Sequence, residues 1–453
     1  VRLEWCLAAA LVLGATRAPG DDVADRAVLT SAAQVRALSE EAARGVPVRL
    51  RGVYMGEADP KGIAFVVQDA TEGIYVQGPS ALVADLVRGD LLEIEGVTDP
   101  GGFAPYVVAH AIRKVGRGEI PAPMQVTLDD LHAGQMDAKW VEISGVVRSV
   151  EPKASTDIGP PPPGTRYEPP SQELSRAGGR TVKMKLVAGS ARVVVELDGD
   201  YPAEDYVDAE VRLQGLCFNL HNNLRQFVQP FVQVPRGVAL TVERPPPEKP
   251  FGGQPRPVAS LLRFDQLTGK HGHRVHVRGI VVHHRPGNVL WVRDGDRSLR
   301  VETAQRERLQ PGDEVDVVGF PARRGYSAAL EDAAFRKLSF GAPPLPRPMN
   351  DFSSALRNVE VRRFADSITL TLEWQQTTVR AEMPLADASP MLDDWLPDSL
   401  VRVAGVCSVK TDEAGPLGGL WEPRSFELLL RTPADLSVLR PPPWWNVKRA
   451  VWI

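Results

Sequence analysis

Three features of this 453-residue sequence predict an all-β fold of small tandem barrels. Gly (39) and Pro (40) together make roughly one residue in six, above the roughly one in eight of average usage. That excess favours turns and short strands over long helices. Apolar and polar positions alternate in the strand segments, so that Val48 and Leu50, or Val275 and Val277, share one face. The third feature is a repeat. Val48-Arg-Leu-Arg-Gly52, Phe65-Val-Val-Gln-Asp69, Gly89-Asp90 and Gly96 recur as Val275-His-Val-Arg-Gly279, Leu290-Trp-Val-Arg-Asp294, Gly312-Asp313 and Gly319, at an offset of 223 to 227 residues.

A second pair lies between and after these. Val141-Glu-Ile-Ser-Gly145 and Val211-Arg-Leu-Gln-Gly215-Leu-Cys217 match Val359-Glu-Val-Arg-Arg363 and Val401-Arg-Val-Ala-Gly405-Val-Cys407. The order is A-B-A′-B′. Between the residue that closes the first strand and the Gly that closes the fourth, the separations are 44, 70, 40 and 42 residues. The excess in B coincides with a Pro-rich insertion at 152–179, which includes Pro160-Pro-Pro-Pro-Gly164. The modules are expected at 29–120 (A), 121–243 (B), 258–340 (A′) and 349–439 (B′), with Pro-rich linkers at 244–257 and 341–348.

Each element has a local reason. The Gly after the first strand permits a bulge or tight coil, and Gly-Asp before the fourth strand is turn chemistry. Five short strands with a kinked first strand fit a Greek-key barrel of the OB type, with a two-sheet sandwich as the alternative. Short helical patterns precede three modules, as at Ser31-Ala-Ala-Gln-Val-Arg, where Ser31 can cap the helix. These read as lids or connectors.

Net charge is −4, which gives no overall basic field for nucleic acid. The charge is uneven: residues 272–340 carry 12 Lys/Arg against 9 Asp/Glu, and residues 46–118 carry 7 against 9. Three cysteines, Cys6, Cys217 and Cys407, are too few for a disulfide framework. Cys217 and Cys407 hold matching positions, as small buried side chains or as a pair linking two barrels. Arg2, the apolar run Trp5 to Gly14 and small residues to Ala18 predict a signal peptide over 1–20. Pro441-Pro-Pro-Trp-Trp followed by Lys448-Arg449 predicts a juxtamembrane segment over 440–453, ahead of a membrane helix beyond residue 453. The expected place is the periplasmic or extracellular face of the cell membrane.

No nucleophile elbow, zinc-protease, P-loop or dinucleotide motif occurs in the sequence. No catalysis and no cofactor are expected of this chain. Ligand-binding candidates fall on the loops after each fourth strand: Phe103 and Tyr106; Asn219, His221, Asn222, Asn223, Arg225 and Gln226; Tyr326; and Trp421. Aromatics stack on flat ligands, or plug a barrel end. Amide, imidazole and guanidinium groups together suit a sugar or carboxylate. His271, His273, His283 and His284 could form a metal site across a hairpin, or stand as exposed polar positions, with His276 on a solvated face.

The string Val48-Arg-Leu-Arg-Gly52, Val67-Gln-Asp69, Gly89-Asp90, Glu95-Gly96-Val-Thr-Asp99-Pro-Gly-Gly-Phe-Ala-Pro105, Cys217-Phe-Asn-Leu-His-Asn-Asn223 and Val317-Val-Gly-Phe-Pro321 resembles the extracytoplasmic sensory region of membrane-bound bacterial sensor histidine kinases. The resemblance spans residues 29–445. Arg363 departs from it, and no kinase segment is present in the sequence. It implies an input region that binds a small ligand or an envelope protein, belongs to a receptor that can dimerise, and precedes a transmembrane helix. The alternative is a secreted OB-fold protein that binds nucleic acid or glycan.

Overall fold

The computed structural model describes residues 27–442, without 40–43, 59–63, 80–82, 84, 153–180, 190, 223, 262–271, 325–326, 348–355, 366, 375–376, 385–395 and 412–422. The predicted signal peptide, most of the juxtamembrane segment and the Pro-rich insertion thus lie outside the described residues. The chain divides into two compact units at Pro245/Pro246, which separates A-B from A′-B′.

Barrel A consists of β1 (Pro47–Glu57), β2 (Ala64–Gln68), β3 (Gly73–Gln77), β4 (Asp90–Asp99) and β5 (Tyr106–Arg117), closed in the order β1-β2-β3-β5-β4. Barrel B has the short parallel β6 (Met124–Gln125), then β7 (Trp140–Pro152), β8 (Thr181–Ala188), β9 (Ala191–Asp198), β10 (Glu210–His221), β11 (Phe227–Val234) and an added β12 (Thr241–Arg244). The β10–β7 pairing closes its ring in the same order. Barrel A′ repeats A with β13 (Val275–Arg285), β14 (Val289–Asp294), β15 (Arg297–Glu302), β16 (Glu314–Arg324) and β17 (Ser327–Ser339). In B′, β18 (Leu356–Arg363), β19 (Ser367–Trp374) and β20 (Thr377–Pro384) lead to a fourth strand in two pieces, β21 (Leu400–Val403) and β22 (Val406–Thr411), followed by β23 (Pro423–Leu429) and an added β24 (Leu436–Arg440). The break leaves the Ala404 N–H to donate to Asp435 O. Four OB-like barrels replace the sandwich alternative, and each has its own apolar core.

The first strand of each barrel changes partner midway, from the fourth strand to the second, at Val53, Val146, Ile280 and Arg357. The residue before the switch is Gly52, Gly145 or Gly279, and in B′ it is Leu356. The bulge then falls three residues past that position in all four barrels. Leu356, not Arg363, therefore takes the glycine's place, and the match of Val359-Glu-Val-Arg-Arg363 to Val141 onward is seven residues out of register. The turn before the fourth strand carries the same signature throughout. Gly89, Asp208, Gly312 and Asp398 all have positive φ, and their N–H groups donate to Tyr54 O, Val147 O, Val281 O and Asn358 O. Gly and Asp are the residues that enter this region at low cost.

The short helices are plugs, not lids. Ala32 and Val35 are buried in the core of A, Leu128 and Leu131 in that of B, and Val258 in that of A′. Asp69 and Asp294 hold these segments: Asp69 Oδ2 accepts from Ala32 N at 2.7 Å and Asp294 Oδ2 from Val258 N at 2.9 Å. That accounts for the repeated aspartate at the end of the second strand, since a helix start leaves N–H groups in need of acceptors.

Candidate binding surface

OB barrels commonly present the face of their second and third strands, with the flanking loops, to ligands. In barrel A that face is covered. Val53 and Met55 of β1, Val66 of β2 and Tyr75 of β3 pack on Trp140 of β7, Leu216 and Phe218 of β10 and Phe231 of β11. Tyr75 and Phe218 lie 5.7 Å apart, Phe218 and Phe231 5.1 Å. The Arg88 guanidinium sits 4.0 Å over the Trp140 ring. The second unit repeats the arrangement: Val282, Val289 and Trp291 pack on Val406 and Leu429, and Arg285 pairs with Glu382 at 3.0 Å. Barrel A thus commits this face to its neighbour, and A′ commits the β14 part of it.

A polar network completes the A-B joint. Asp137 Oδ1 accepts from the Tyr75 hydroxyl (3.1 Å) and from Asn219 N (3.0 Å), and Arg36 Nη2 lies 3.6 Å from Asp137 Oδ2. Glu72 pairs with both Arg36 and Lys139. Burial raises the Asp137 carboxyl above the ordinary range against the pull of Arg36. The same burial, with Asp137 beside it, raises the Tyr75 phenol and pushes the Cys217 thiol up to about 12. Cys217 is therefore an inert core thiol. Its counterpart Cys407 is exposed, which corrects the expectation of two buried cysteines, and both are free.

The loops after the fourth strands of A and B meet. The Phe103 ring stacks on His221, centroids 6.0 Å apart, and Arg225 Nη2 donates to Pro100 O at 3.0 Å. Asn222 organises the second loop, its Oδ1 accepting from Leu224 N and Gln226 N and its Nδ2 donating to Gln226 Oε1. Leu224 is lifted to the tip, 76% exposed. Phe103, His221, Asn222, Arg225 and Gln226 are thus brought together. Two of their companions have partners within the fold: Asn219 is buried and donates to Gly134 O, and the Tyr106 hydroxyl donates to Gln77 of its own barrel. Asn223, Tyr326 and Trp421 lie outside the described residues.

The face of the second and third strands in B and B′ carries polar groups, which the loop-centred candidate set missed. On β8 and β9 Thr181, Lys183, Lys185, Arg192, Glu196 and Asp198 alternate with core residues, and Lys185 holds the Glu151 carboxyl below its ordinary range. On β19 and β20 Ser367, Thr369, Thr371 and Glu373 stand across from Pro384, Glu382, Arg380 and Thr378. The alternation Ser-Ile-Thr-Leu-Thr-Leu-Glu was the available signal. Hydroxyl, guanidinium and carboxylate groups on a regular sheet suit a hydrogen-bonding ligand more than a stacked base.

Among the candidate metal ligands, His273 is half-buried. His271 lies outside the described residues. His284 stands edge-on to Phe335 and its Nδ1 accepts from Leu309 N. His283 is buried among the charges of Arg285, Arg431 and Asp435, and burial brings it down to about 4. Among the described residues no three of His, Cys, Asp and Glu are grouped to hold a metal ion. His276, expected on a solvated face, is buried.

The fold and this surface define a protein of tandem OB-like barrels joined in pairs. No protein-family model matches the chain, and no curated protein matches it. Among solved structures, it is similar to the hypothetical protein ygiW from E. coli, with 23% identity over 20% of this chain and 90% of that one, at a TM-score of 0.17. It is similar to the Ifi202 HINa domain solved with 20bp dsDNA, with 8% identity over 43% of this chain and 95% of that one, at a TM-score of 0.19. A Replication Protein A heterotrimer bound to ssDNA aligns over 92% of this chain and 96% of that one, with 8% identity and a TM-score of 0.24.

Proposed function

We propose that the chain is a non-catalytic binding region, the extracytoplasmic input of a membrane-bound bacterial sensor, in which B and B′ read a polar small ligand or an envelope protein. The observation that carries this reading is the asymmetry within each pair. The face of the second and third strands packs on the neighbouring barrel in A, and its β14 part does so in A′, whereas in B and B′ it carries polar groups. Each first barrel then acts as a base that fixes the orientation of its reader. A ligand that prefers one arrangement of the pair shifts its population by its differential affinity alone.

The test screens the chain by thermal shift against sugars, carboxylates, peptides and single-stranded DNA. Binding lost in Thr371→Ala/Arg380→Ala or in Lys185→Ala supports the polar faces as readers. Binding that survives both variants overturns that assignment. Salt-steep binding of single-stranded DNA would favour the secreted nucleic-acid-binding alternative. The sensor reading itself stands or falls with the gene: an apolar stretch of about 20 residues after Ile453, followed by a His-containing helix, supports it, and a stop codon there ends it.

A further inference from the structure

Of the two polar faces, the one in B′ holds a cation that no carboxylate takes up. Arg380 stands on β20 directly across from Thr371 on β19, with Thr378 two residues before it on the same face, and it is exposed. The carboxylates around it are engaged elsewhere. Glu373, diagonal to Arg380, pairs with Arg357, and Glu382, two residues along β20, pairs with Arg285 at 3.0 Å. Glu427, the register partner of Arg380 on β23, pairs with Lys410 at 2.9 Å. Glu360, across from Thr371 on β18, pairs with Arg362 at 2.8 Å. Among the described residues Arg380 is thus left without a carboxylate.

Barrel B has no counterpart. Val194 and Val195 of β9 pair with Phe231 and Val232 as Arg380 and Ala381 of β20 pair with Glu427 and Leu428, so Val194 holds the place of Arg380. The cations that B does present are taken: Lys185 pairs with Glu151 at 2.8 Å, and neither Lys183 nor Arg192 is free.

A guanidinium offers a planar fork of N–H donors that matches a carboxylate. Ser367, Thr369 and Thr371 set a row of hydroxyls beside it along β19, at a spacing of roughly 6.8 Å for every second residue. A hydroxyl both donates and accepts, so the row can meet the hydroxyls of a ligand whose acid group lies on Arg380. The paired glutamates nearby keep the local charge low, which suits a monoanion better than a dianion.

We infer that the outer face of B′ binds a hydroxylated organic carboxylate, the chemistry of a sugar acid, with Arg380 on its acid group and the β19 hydroxyls on its own. This rests on the proposed reading of the polar faces as binding surfaces and narrows it to one barrel and one ligand charge.

The experiment titrates the intact chain, labelled with 13C at its threonine methyls, with glucose, glucuronate and glucose 6-phosphate at matched pH and ionic strength. The Thr371 and Thr378 signals are assigned from Thr371→Ser and Thr378→Ser, which keep the hydroxyls, and the Thr181 signal of barrel B from Thr181→Ser. Glucuronate should move the Thr371 and Thr378 methyls and leave Thr181 in place. Its affinity should exceed that of glucose by up to about fivefold, as one exposed charge pair allows. Arg380 is exposed, so Arg380→Gln should fold as wild type does and lose that preference, and Arg380→Lys should keep part of it. Equal response to glucose and glucuronate, a stronger response to glucose 6-phosphate, or a preference that survives Arg380→Gln overturns the inference. Glucuronate that moves neither methyl overturns it as well, whereas the reading of the faces as binding surfaces falls only with the thermal-shift screen.

Discussion

Gly73 of barrel A faces the carbonyl of Ala138 in barrel B so closely that a Cβ on Gly73 would lie 1.9 Å from Ala138 O. The obstacle is backbone, so no rotamer change can relieve it. Gly102 makes a different approach, where a Cβ would meet His221 Nε2 at 2.3 Å, the far end of a side chain that can turn away.

Gly73→Ala should therefore part the A-B joint, while Gly102→Ala should only lose the Phe103–His221 stack. The stack accounts for about 0.5–1.5 kcal/mol. By calorimetry the first unit should melt as one transition in wild type and in Gly102→Ala, and as two in Gly73→Ala. A single unshifted transition in Gly73→Ala would show that the joint yields at no cost.

Asp90 ties the turn before β4 to β5. It is fully buried, its Oδ2 accepts from Val87 N, and Lys114 and Arg117 both reach it at 2.8 Å. Those donors hold the carboxyl down to about 2 against the cost of burial. Asp90→Ala should destabilise barrel A by about 1–3 kcal/mol, since it leaves the Val87 N–H without its acceptor and removes the shared partner of the solvent-exposed Lys114 and Arg117. Asp90→Asn, which can still accept from Val87 N, should cost less. Denaturant unfolding of the pair of variants checks the order, and equal losses would count against the ion pairs.

Much of this fold was legible in the sequence because turn chemistry is local. Gly89-Asp90 and Gly312-Asp313 announced positive φ before the fourth strand, and Asp69 and Asp294 repeated because each caps a segment folded under its barrel. The same turn at Asp208 and Asp398 was hidden, since aspartate there does not signal positive φ as glycine does. The register of B′ was misread because Val359-Glu-Val has the right alternation, and a period of two cannot locate a bulge. The candidate site was legible only in its loops. Which barrel face is covered depends on contacts such as Met55 with Trp140, and alternation does not tell an apolar face that meets a neighbour from one that meets its own core. His276 followed the same rule: its neighbours Phe251 and Asp316 come from distant segments.

Trp291 fills the A′-B′ joint and is 6% exposed. Its indole N–H has no hydrogen-bond acceptor among the described residues, so truncation forfeits packing and no hydrogen bond. Trp291→Ala should cost about 3 kcal/mol and, because β14 lies at the joint, should split the melting of the second unit. Trp291→Phe should recover most of the loss. A cost below about 1 kcal/mol would mean that the joint contributes little to stability.

His283 gives the second unit an acid weakness of its own. Burial lowers it from the ordinary 6.5 to about 4, with Arg285 and His284 adding to the effect, Asp435 opposing it and Arg431 adding again. The native state therefore binds fewer protons than the unfolded chain between those values. Its stabilising effect is complete above about pH 6.5 and is lost as pH falls toward 4, a change of about 3 kcal/mol. Carboxylates contribute an acid loss too, but Asp316 is held so far down by Arg278 and Arg336 that its share falls at lower pH. His283→Gln should thus flatten the pH dependence of the second unit's Tm between about pH 6.5 and 4, and the variant should gain on wild type as the solution is acidified. Parallel curves for the two proteins would show that His283 accepts its proton without leaving the joint.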